Sequence, residues 1–472
     1  MEETNSHVVL FPFPAHGHIS PYLALATRLH QYQSDLIITV VSTPRNIDFI
    51  RSSLPISTSI NLHSLPFSPA DYGLPQSEST IDLLPHQFPI FFSATESLRP
   101  AFDEFIADIS TRDSVCIISD MFFGWTVDVA RKHKAFHSIF LGMTGFSGAV
   151  ILSLWLNLPH NLTSSEQFSL PEYSEVIVNR SELPVYLLFA NGKDPLSLFM
   201  QRQLSSFYKT DVIMLNAIKE LDPSGLVMLR KTFKTLVLPM GPFLGAPNLS
   251  ALPSGNDSQI IEWLDLLPPA SVIYIAFGSQ ESINSKQMME LALALEESGR
   301  PFIWAIRPPI GFSVKDEFKD EWLPLGFKAR TKKDNRGLFV HDWAPQVRIL
   351  SHKSTGAFIS HCGWNSVLES LYYGVPIIGW PLGADQPFNL RVLVQLGVCV
   401  KVVIRNKETS KVEKEKVKDI MEMVMGENEK AREIRKKTKE IRDVIRGTWK
   451  EEEGSSMKSF MEFLEVSKTG AK

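Results

Sequence analysis

The chain has 472 residues, of which 44% are hydrophobic and 21% charged, and its formal net charge is −4 at pH 7. This length is too great for one ordinary core and predicts two domains, while the small negative charge argues against binding to nucleic acid or to an anionic membrane. Three cysteines are too few for a secreted disulfide scaffold and favour a reducing compartment, so we expect a cytoplasmic protein.

The N-terminal half alternates short apolar runs with a helical pattern. Runs rich in β-branched and aromatic residues predict strands at 7–14, 36–43, 116–120 and 136–141, and apolar residues at helical spacing predict a helix over 21–32. Strands that alternate with helices are typical of βαβ units, so we expect a parallel sheet in an α/β fold.

One apolar stretch, residues 135–165, contains no Asp, Glu, Lys or Arg and is long enough to cross a bilayer. Glycines, a proline and several hydroxyl side chains interrupt it. We therefore interpret this stretch as a buried strand followed by a helix that lines a pocket.

A segment dense in Gly, Pro, Ser and Asn, residues 242–258, is interpreted as a linker. After it the alternation restarts, with strands predicted at 272–277, 301–306, 337–340, 356–359 and 376–380 and a helix at 285–299. We expect an N-terminal domain over 1–241, a C-terminal domain over 259–453, and a final helix over 454–472 that packs back on the N-terminal domain. Both domains are predicted to be doubly wound parallel sheets.

The decapeptide HCGWNSVLES, residues 361–370, places small and polar side chains between a predicted strand and a predicted helix. In open parallel sheets, ligands bind at the carboxyl ends of strands, where helix N-termini present N–H groups and a partial positive charge. Gly363 lets a ligand approach the backbone, and Asn365 and Ser366 suit phosphate oxygens. Glu369, one turn after Ser366, suits ribose hydroxyls. We interpret the junction as a diphosphate site, with a capped core helix as the alternative.

From Trp343 to Gln386 the chain resembles the 44-residue nucleotide-sugar signature, the PSPG box, of plant family-one UDP-dependent glycosyltransferases. The segments that carry the resemblance, at the spacing of that signature, are WAPQ, HCGWNS, LES, GVP, WP and DQ. The resemblance extends over the whole chain, including PFPAHGHISP near the N-terminus. It implies the GT-B fold, in which two Rossmann-like domains face each other across an interdomain cleft and bind the acceptor and the UDP-sugar, respectively.

The resemblance also implies roles for individual residues. Trp343 would stack on uracil, and Ala344 would pair with the base through its backbone. Gln346 and Glu369 would hold the ribose hydroxyls. The residues implied for the diphosphate are Ser279, His361, Gly363, Asn365 and Ser366, and those implied for the sugar are Trp364, Asp385 and Gln386.

The co-substrate implied by the last position of the signature is UDP-glucose, because Gln goes with glucose there in the family and His with galactose. Gln386 occupies that position. We expect no cofactor and no metal ion, since the chain has neither a D-x-D motif nor a zinc-type Cys/His spacing. The absence of G-x-G-x-x-G at the first helix weighs against a dehydrogenase.

The turn FPFPAHGHISP, residues 11–21, holds two histidines. An imidazole titrates near neutral pH and suits the deprotonation of an acceptor hydroxyl. His18 resembles the catalytic base of the family, whereas His16 is given no chemical role. Asp120, which ends the predicted strand 116–120, matches the family's Asp partner and would orient and stabilise the imidazolium. A structural histidine and a helix N-cap are the alternatives for these two residues.

The expected reaction is inverting, because the acceptor would attack the face of the sugar opposite UDP and give a β-glucoside. Phe122, Met143 and Phe146 are candidate walls of an acceptor pocket suited to a flavonoid, another phenolic or a terpenoid, and each is as well explained as core. A UDP-sugar epimerase or hydrolase of the same fold, and a catalytically silent UDP-sugar-binding protein, are the alternative functions. We expect a monomer.

Overall fold

The structure is a computed structural model that describes residues 5–54, 58–76, 78–244, 257–280, 282–313, 316–341, 343–404 and 410–469. It divides into two compact units, drawn from Met1–Arg180, Val185–Leu249 and Thr448–Lys472 (unit 1) and from Ser181–Pro184 and Ser250–Gly447 (unit 2). Most of the predicted linker, residues 245–256, lies outside the described residues. The domain boundaries therefore stay predictions.

Unit 1 is built on a parallel sheet. The strands assigned to this unit are β1 (Asn5–Phe11), β2 (Ile37–Ser42), β3 (Asn61–Ser64), β4 (Asp113–Asp120), β5 (Phe136–Leu141), β6 (Gln167–Ser169), β7 (Ile177–Asn179), β8 (Val212–Leu215) and β9 (Leu236–Pro239). The sheet has the order β3-β2-β1-β4-β5-β8-β9, and β6 and β7 form a separate antiparallel pair. The chain order reverses between β1 and β4, which is the point where open α/β sheets bind ligands.

Helices cover this sheet. They are α1 (His16–Tyr32), α2 (Pro44–Ser53), α3 (Phe88–Ala94), α4 (Arg99–Ile109), α5 (Thr126–Lys132), α6 (Gly145–Asn157), α7 (Val185–Phe189), α8 (Pro195–Leu204), α9 (Pro223–Thr232) and, at the end of the chain, α18 (Ser455–Thr469). Two buried clusters fill the space between sheet and helices, and Phe460 and Phe463 of α18 belong to one of them.

The prediction that the first helix starts at Pro21 is wrong. Helix α1 begins at His16, and Pro21 lies inside it. A proline there lacks the N–H that would bond to the carbonyl four residues earlier, and its ring crowds that carbonyl. Ile19 and Tyr22, both buried, offset this cost by packing in the early turns. His18 therefore lies in the first turn of a helix rather than in an open loop.

Unit 2 is built on a second parallel sheet. Its strands are β10 (Val272–Ala276), β11 (Phe302–Ala305), β12 (Gly337–Val340), β13 (Thr355–Ser360), β14 (Ile377–Gly379) and β15 (Cys399–Lys401). They have the order β12-β11-β10-β13-β14-β15, which is the Rossmann order with its switch point between β10 and β13.

The helices of unit 2 flank this sheet. They are α10 (Asp257–Asp265), α11 (Ser285–Ser298), α12 (Phe327–Lys333), α13 (Gln346–Ser351), α14 (Trp364–Tyr373), α15 (Gln386–Gln395), α16 (Lys414–Met425) and α17 (Glu429–Gly447). Core residues such as Ile273, Ile275 and Ile359 are fully buried, as expected for strands covered on both faces.

The apolar stretch 135–165 forms strand β5 and helix α6, as predicted, and α6 has only 13 residues. In the part of the chain that the structure describes, no helix combines the length and the apolar character that crossing a membrane requires.

Candidate active site residues in each unit

The switch point of unit 1 brings His18 and Asp120 together. Asp120 is the last residue of β4, and the chain after the neighbouring strand β1 leads into α1, whose first turn carries His18. Nδ1 of His18 lies 2.7 Å from Oδ2 of Asp120. The carboxylate is 3% exposed and the imidazole 35%, so the ring is the member of the pair that a substrate can reach.

The Asp120 carboxylate is held on both sides. Its Oδ1 accepts a hydrogen bond of 3.1 Å from the N–H of Phe122, which caps the short turn after β4. With Nδ1–H donating to Oδ2, the basic lone pair of His18 lies on Nε2. This arrangement can accept a proton at Nε2 while the carboxylate stabilises the resulting imidazolium.

Aromatic rings surround the imidazole. The ring centroid of His18 lies 5.7 Å from that of Phe13 and 5.5 Å from that of Phe122. Phe92 extends this cluster, at 5.0 Å from Phe13 and 4.7 Å from Phe122. The surroundings of the His18 imidazole are therefore apolar and aromatic, which suits a lipophilic substrate.

The other two candidate pocket residues lie around the start of α6. Met143 is in the turn after β5, and Phe146 is buried in the first turn of α6, where its N–H donates to Asp222 at 2.7 Å. These contacts place Phe146 against the start of α9. Of the three predicted pocket residues, Phe122 has a ring contact with His18. The roles of Phe122, Met143 and Phe146 in an acceptor pocket stay predictions.

The switch point of unit 2 carries the predicted phosphate residues. Ala276, at the end of β10, pairs with Ser360 at the end of β13. Gly278 and Ser279 follow β10, and His361 follows β13. Ser279 is partly buried, and its carbonyl accepts a long hydrogen bond of 3.4 Å from Nη1 of Arg307.

The start of α14 has no side-chain cap. Its N-cap is Gly363, which has no side chain to accept from the first turn, whereas the N-cap of α11, Asn284, forms a capping box with Gln287. Asn365 and Ser366 lie in the first turn of α14. The N–H groups of a first helical turn and the helix dipole favour an anion at this position.

His361 is held between two glycines. A Cβ at Gly363 would lie 2.3 Å from Nε2 of His361, and one at Gly278, which has a φ of +88°, would lie 2.8 Å from it. Burial lowers the pKa of His361 to about 4, so the ring is neutral at pH 7. Its Nδ1 is buried and has no hydrogen-bond partner among the described residues, which a phosphate oxygen would explain.

The predicted ribose residues form one hydrogen-bonded cluster. Nε2 of Gln346 donates to Oε2 of Glu369 at 2.7 Å and to Oγ of Ser366 at 3.0 Å. Burial raises the pKa of Glu369 to about 7, against the lowering effect of the Gln346 hydrogen bond. The cluster lies beside the start of α14 and presents a carboxyl group suited to hydroxyl hydrogens.

The predicted base residues precede α13. The Trp343 side chain is 38% exposed, unlike the core tryptophans Trp304 and Trp380, which are at most 1% exposed. The carbonyl of Ala344 accepts from the N–H of Gln346 at 2.8 Å. An accessible indole fits the predicted stacking on a base.

The predicted sugar residues lie on two helices. Trp364 is buried in the first turn of α14. Oε1 of Gln386 accepts from the N–H groups of Leu382 and Gly383, at 2.8 and 2.9 Å, so this amide holds the turn before α15. Asp385, also partly buried, is the N-cap residue of α15.

Two residues near these sites were not predicted from the sequence. Asn389, fully buried on α15, donates to the carbonyl of Cys362 at 3.0 Å and to Oδ2 of Asp385 at 2.7 Å, and thus joins the loop before α14 to Asp385. Tyr274 on β10 donates to Oε1 of Gln346 at 3.2 Å. For Asn389, the i, i+4 spacing from Asp385 was a signal in the sequence. For Tyr274 there was none, because its sequence context is that of an ordinary core residue.

Comparisons with known proteins agree with this architecture. A family model described as "UDP-glucoronosyl and UDP-glucosyl transferase" matches residues 261–433. UDP-glycosyltransferase 92A1 of Arabidopsis thaliana is 39% identical over 98% of this chain and 97% of its own length. UDP-glucose flavonoid 3-O-glucosyltransferase 7 of Fragaria ananassa is 32% identical, over 95% of this chain and 93% of its own length.

A solved structure gives the same result for the fold. The Medicago truncatula protein UGT71G1, crystallised with UDP-glucose, superimposes with a TM-score of 0.82 at 27% identity and covers 98% of both chains. The chain belongs to the UDP-glycosyltransferase family and is an enzyme that transfers a glycosyl group from a UDP-sugar. The GT-B fold expected from the sequence is confirmed.

Among the residues that the structure describes, no three or more His, Cys, Asp and Glu side chains are grouped so that they could hold a metal ion. The UDP-sugar is a co-substrate in this family. The expectation of a reaction without a metal ion or cofactor stays a prediction.

Proposed function

We propose that the enzyme transfers glucose from UDP-glucose, with inversion at the anomeric carbon, to a hydroxyl group of a small lipophilic acceptor. The single observation that carries the proposal is the His18–Asp120 pair, joined at 2.7 Å beside an aromatic cluster. A hydroxyl is a weak nucleophile at neutral pH, and an imidazole oriented by a buried carboxylate is suited to remove its proton.

The donor is proposed to bind at the start of α14. Its N–H groups, Asn365 and Ser366 would receive the diphosphate, together with Ser279 and neutral His361. Trp343 would stack on uracil next to the backbone of Ala344. The groups that would receive the diphosphate would also stabilise the charge on the departing UDP.

Glucose is proposed as the sugar because Gln386 stands at the last position of the signature. Its Oε1 is used by two backbone N–H groups, which fixes the amide plane and leaves Nε2 as the group that reads a sugar hydroxyl. Asp385 and Trp364 are proposed as its neighbours in sugar binding.

The transfer step is proposed as a single displacement. The acceptor oxygen forms a bond to C1 of glucose as the bond from C1 to the UDP oxygen breaks, and the hydroxyl proton passes to Nε2 of His18. Attack opposite the leaving group converts an α-linked donor into a β-glucoside. UDP leaves with the electron pair of the broken bond.

The acceptor class follows from the surroundings of His18. Phe13, Phe92 and Phe122 provide aromatic faces that a planar phenolic ring can stack against. The Fragaria ananassa relative is named for a flavonoid acceptor. We therefore propose a flavonoid or another phenolic first and a terpenoid second.

The test is product analysis with UDP-glucose, UDP-galactose and a panel of phenolic and terpenoid alcohols. Mass spectrometry should show an acceptor heavier by one hexosyl unit with UDP-glucose, and the proton coupling at the new anomeric centre should be that of a β-glucoside. An α-product, or transfer from UDP-galactose alone, would contradict the proposal.

The alternative functions give other outcomes in the same assay. Consumption of UDP-glucose without a glycosylated acceptor would indicate an epimerase or hydrolase. Binding of UDP-glucose with neither consumption nor transfer would indicate a silent binding protein.

A further inference from the structure

Tyr274 is a buried residue whose hydroxyl reaches the predicted ribose cluster. It lies on β10 and is 1% exposed, and its hydroxyl donates to Oε1 of Gln346 at 3.2 Å. The ring stacks on Phe358 of the neighbouring strand β13 with a centroid distance of 4.9 Å, so the hydroxyl is carried by a rigid part of the sheet.

The hydrogen bonds of the Gln346 amide fix which way it points. Both hydrogens of Nε2 are used, one by Oε2 of Glu369 and one by Oγ of Ser366. The amide oxygen then faces β10, where the hydroxyl of Tyr274 satisfies one of its two lone pairs. Each polar atom of this amide thus has a partner on a different element.

Two acceptor positions remain for a ligand. The second lone pair of Oε1 of Gln346 and the Oε1 atom of Glu369 accept no hydrogen bond from the described residues. Two acceptors on adjacent side chains match the two vicinal hydroxyls of a ribose, which can each donate one hydrogen.

We propose that Tyr274 is a positioning residue for ribose recognition, because its hydroxyl fixes the Gln346 amide so that Gln346 and Glu369 present acceptors to the ribose hydroxyls. The inference rests on the proposed function, since it takes the start of α14 as the nucleotide site. A glutamine side chain loses rotational freedom on binding, and a hydroxyl that holds it beforehand reduces this cost.

The test compares three nucleotides, UDP, 2′-deoxy-UDP and 3′-deoxy-UDP, by calorimetry on the full chain. The wild type should prefer UDP over at least one deoxy nucleotide. Tyr274→Phe should bind UDP roughly 3- to 10-fold more weakly, the usual net worth of one hydrogen bond. The deoxy nucleotide that lacks the hydroxyl bound by Gln346 should bind almost unchanged, whereas the other should weaken as UDP does. With a UDP-sugar donor, KM should rise by the same factor and kcat at saturation should stay constant.

The matched control is Tyr173→Phe, which removes another buried hydroxyl, bonded to the carbonyl of Met228 at 3.0 Å in unit 1. It should leave the preference for ribose intact. In a Gln346→Ala background, Tyr274→Phe should have no further effect, because the amide through which it acts is gone.

Two results would overturn the inference. One is an equal loss of affinity for all three nucleotides in Tyr274→Phe, which would indicate a general structural role. The other is a wild type that binds UDP without any preference over either deoxy nucleotide. Failure of the proposed function is separate, since it would appear as no UDP binding or as no glucosylated product.

Discussion

At the scale of single residues, the proposed function depends on the pair formed by His18 and Asp120. His18 and Asp120 are 102 positions apart in sequence, and adjacent parallel strands bring them to 2.7 Å. The carboxylate is buried and the imidazole is partly accessible, which is the distribution expected when the ring meets the substrate and the carboxylate orients the ring.

Removal of this imidazole should lower turnover. We expect His18→Ala to reduce kcat by roughly 10²–10⁴, the usual contribution of a general base, with little change in UDP affinity. The control is His133→Ala, because His133, the C-cap residue of α5, forms a similar 2.7 Å pair with Asp103 of α4 in the same unit. Full activity in His18→Ala would remove the residue from the mechanism.

Glu369 should make stability depend on pH. Its pKa of about 7 in the folded chain lies above the ordinary value of 4.5, so the folded state binds more protons between these values. The unfolding free energy contributed by this group therefore falls as pH rises from about 4.5 to 7, by about 3 kcal/mol.

Replacing this carboxyl group should remove that pH dependence. Glu369→Gln should equal the wild type in stability near pH 4.5 and exceed it near pH 8, as measured by urea unfolding, while binding UDP more weakly. Glu429→Gln, at an exposed position of α17, should show no such pH-dependent gain. A constant difference between Glu369→Gln and the wild type at both pH values would contradict the assignment.

Gln386 should influence the choice of donor through the turn that it holds. A histidine cannot accept from both the Leu382 and the Gly383 N–H groups in the geometry of the amide oxygen. We expect Gln386→His to lower the ratio of UDP-glucose to UDP-galactose use, measured as kcat/KM for each donor. An unchanged ratio would show that this residue does not select the sugar.

At the scale of elements, the His18–Asp120 pair and the predicted phosphate residues each lie at the carboxyl ends of strands that flank a switch point. In unit 2 this geometry depends on close backbone approach, because His361 fits between Gly278 and Gly363. The uncapped start of α14 and the unsatisfied Nδ1 of His361 occur at the same place. A loop that left more room would not hold the ring in one position.

A methyl group at this place should weaken nucleotide binding. In Gly363→Ala the new Cβ would come within 2.3 Å of Nε2 of His361, so the ring must shift. We expect UDP affinity to fall roughly 5- to 100-fold, as for other overpacked sites. Gly447→Ala is the control, since a Cβ there meets no atom within 4 Å. Wild-type affinity in Gly363→Ala would show that the ring position is unimportant.

At the scale of the whole molecule, chain order and spatial order differ. The chain passes through unit 1, forms unit 2, and returns with Thr448–Lys472 to unit 1. There Phe460 and Phe463 of α18 are fully buried together with Leu10 of β1 and Ile118 of β4. The two ends of the sequence thus share one core.

Loss of a large side chain from α18 should destabilise unit 1. We expect Phe460→Ala to lower the unfolding free energy by about 3–5 kcal/mol, as for other buried phenylalanines, when measured by urea unfolding. Met461→Ala, at a position 41% exposed, should change it by less than about 0.5 kcal/mol. UDP affinity under native conditions should stay unchanged in both variants, and a parallel loss would contradict this assignment.

Much of the architecture could be predicted from the sequence, because buried parallel strands are continuous apolar runs. The runs at 136–141 and 337–340 match β5 and β12 residue for residue. Strands β3, β8, β9 and β15 were not predicted, because a run of three or four residues fits a helix segment or a loop as well as a strand, and β12 is a run of the same length that was assigned correctly. The early start of α1 was not predicted either, because the packing of Ile19 and Tyr22 outweighs the signal of Pro21.

The sequence by itself determined the fold class, the family and the positions proposed for the donor, since these depend on residue types at fixed spacing within one continuous stretch. Only the tertiary structure decided the distance between His18 and Asp120, the core neighbours of Phe460 and Phe463 of α18, and the contact of Tyr274 with Gln346. These pairs are far apart along the chain, and their proximity depends on which strands become neighbours and in what register. Local propensity and spacing carry no information about that pairing.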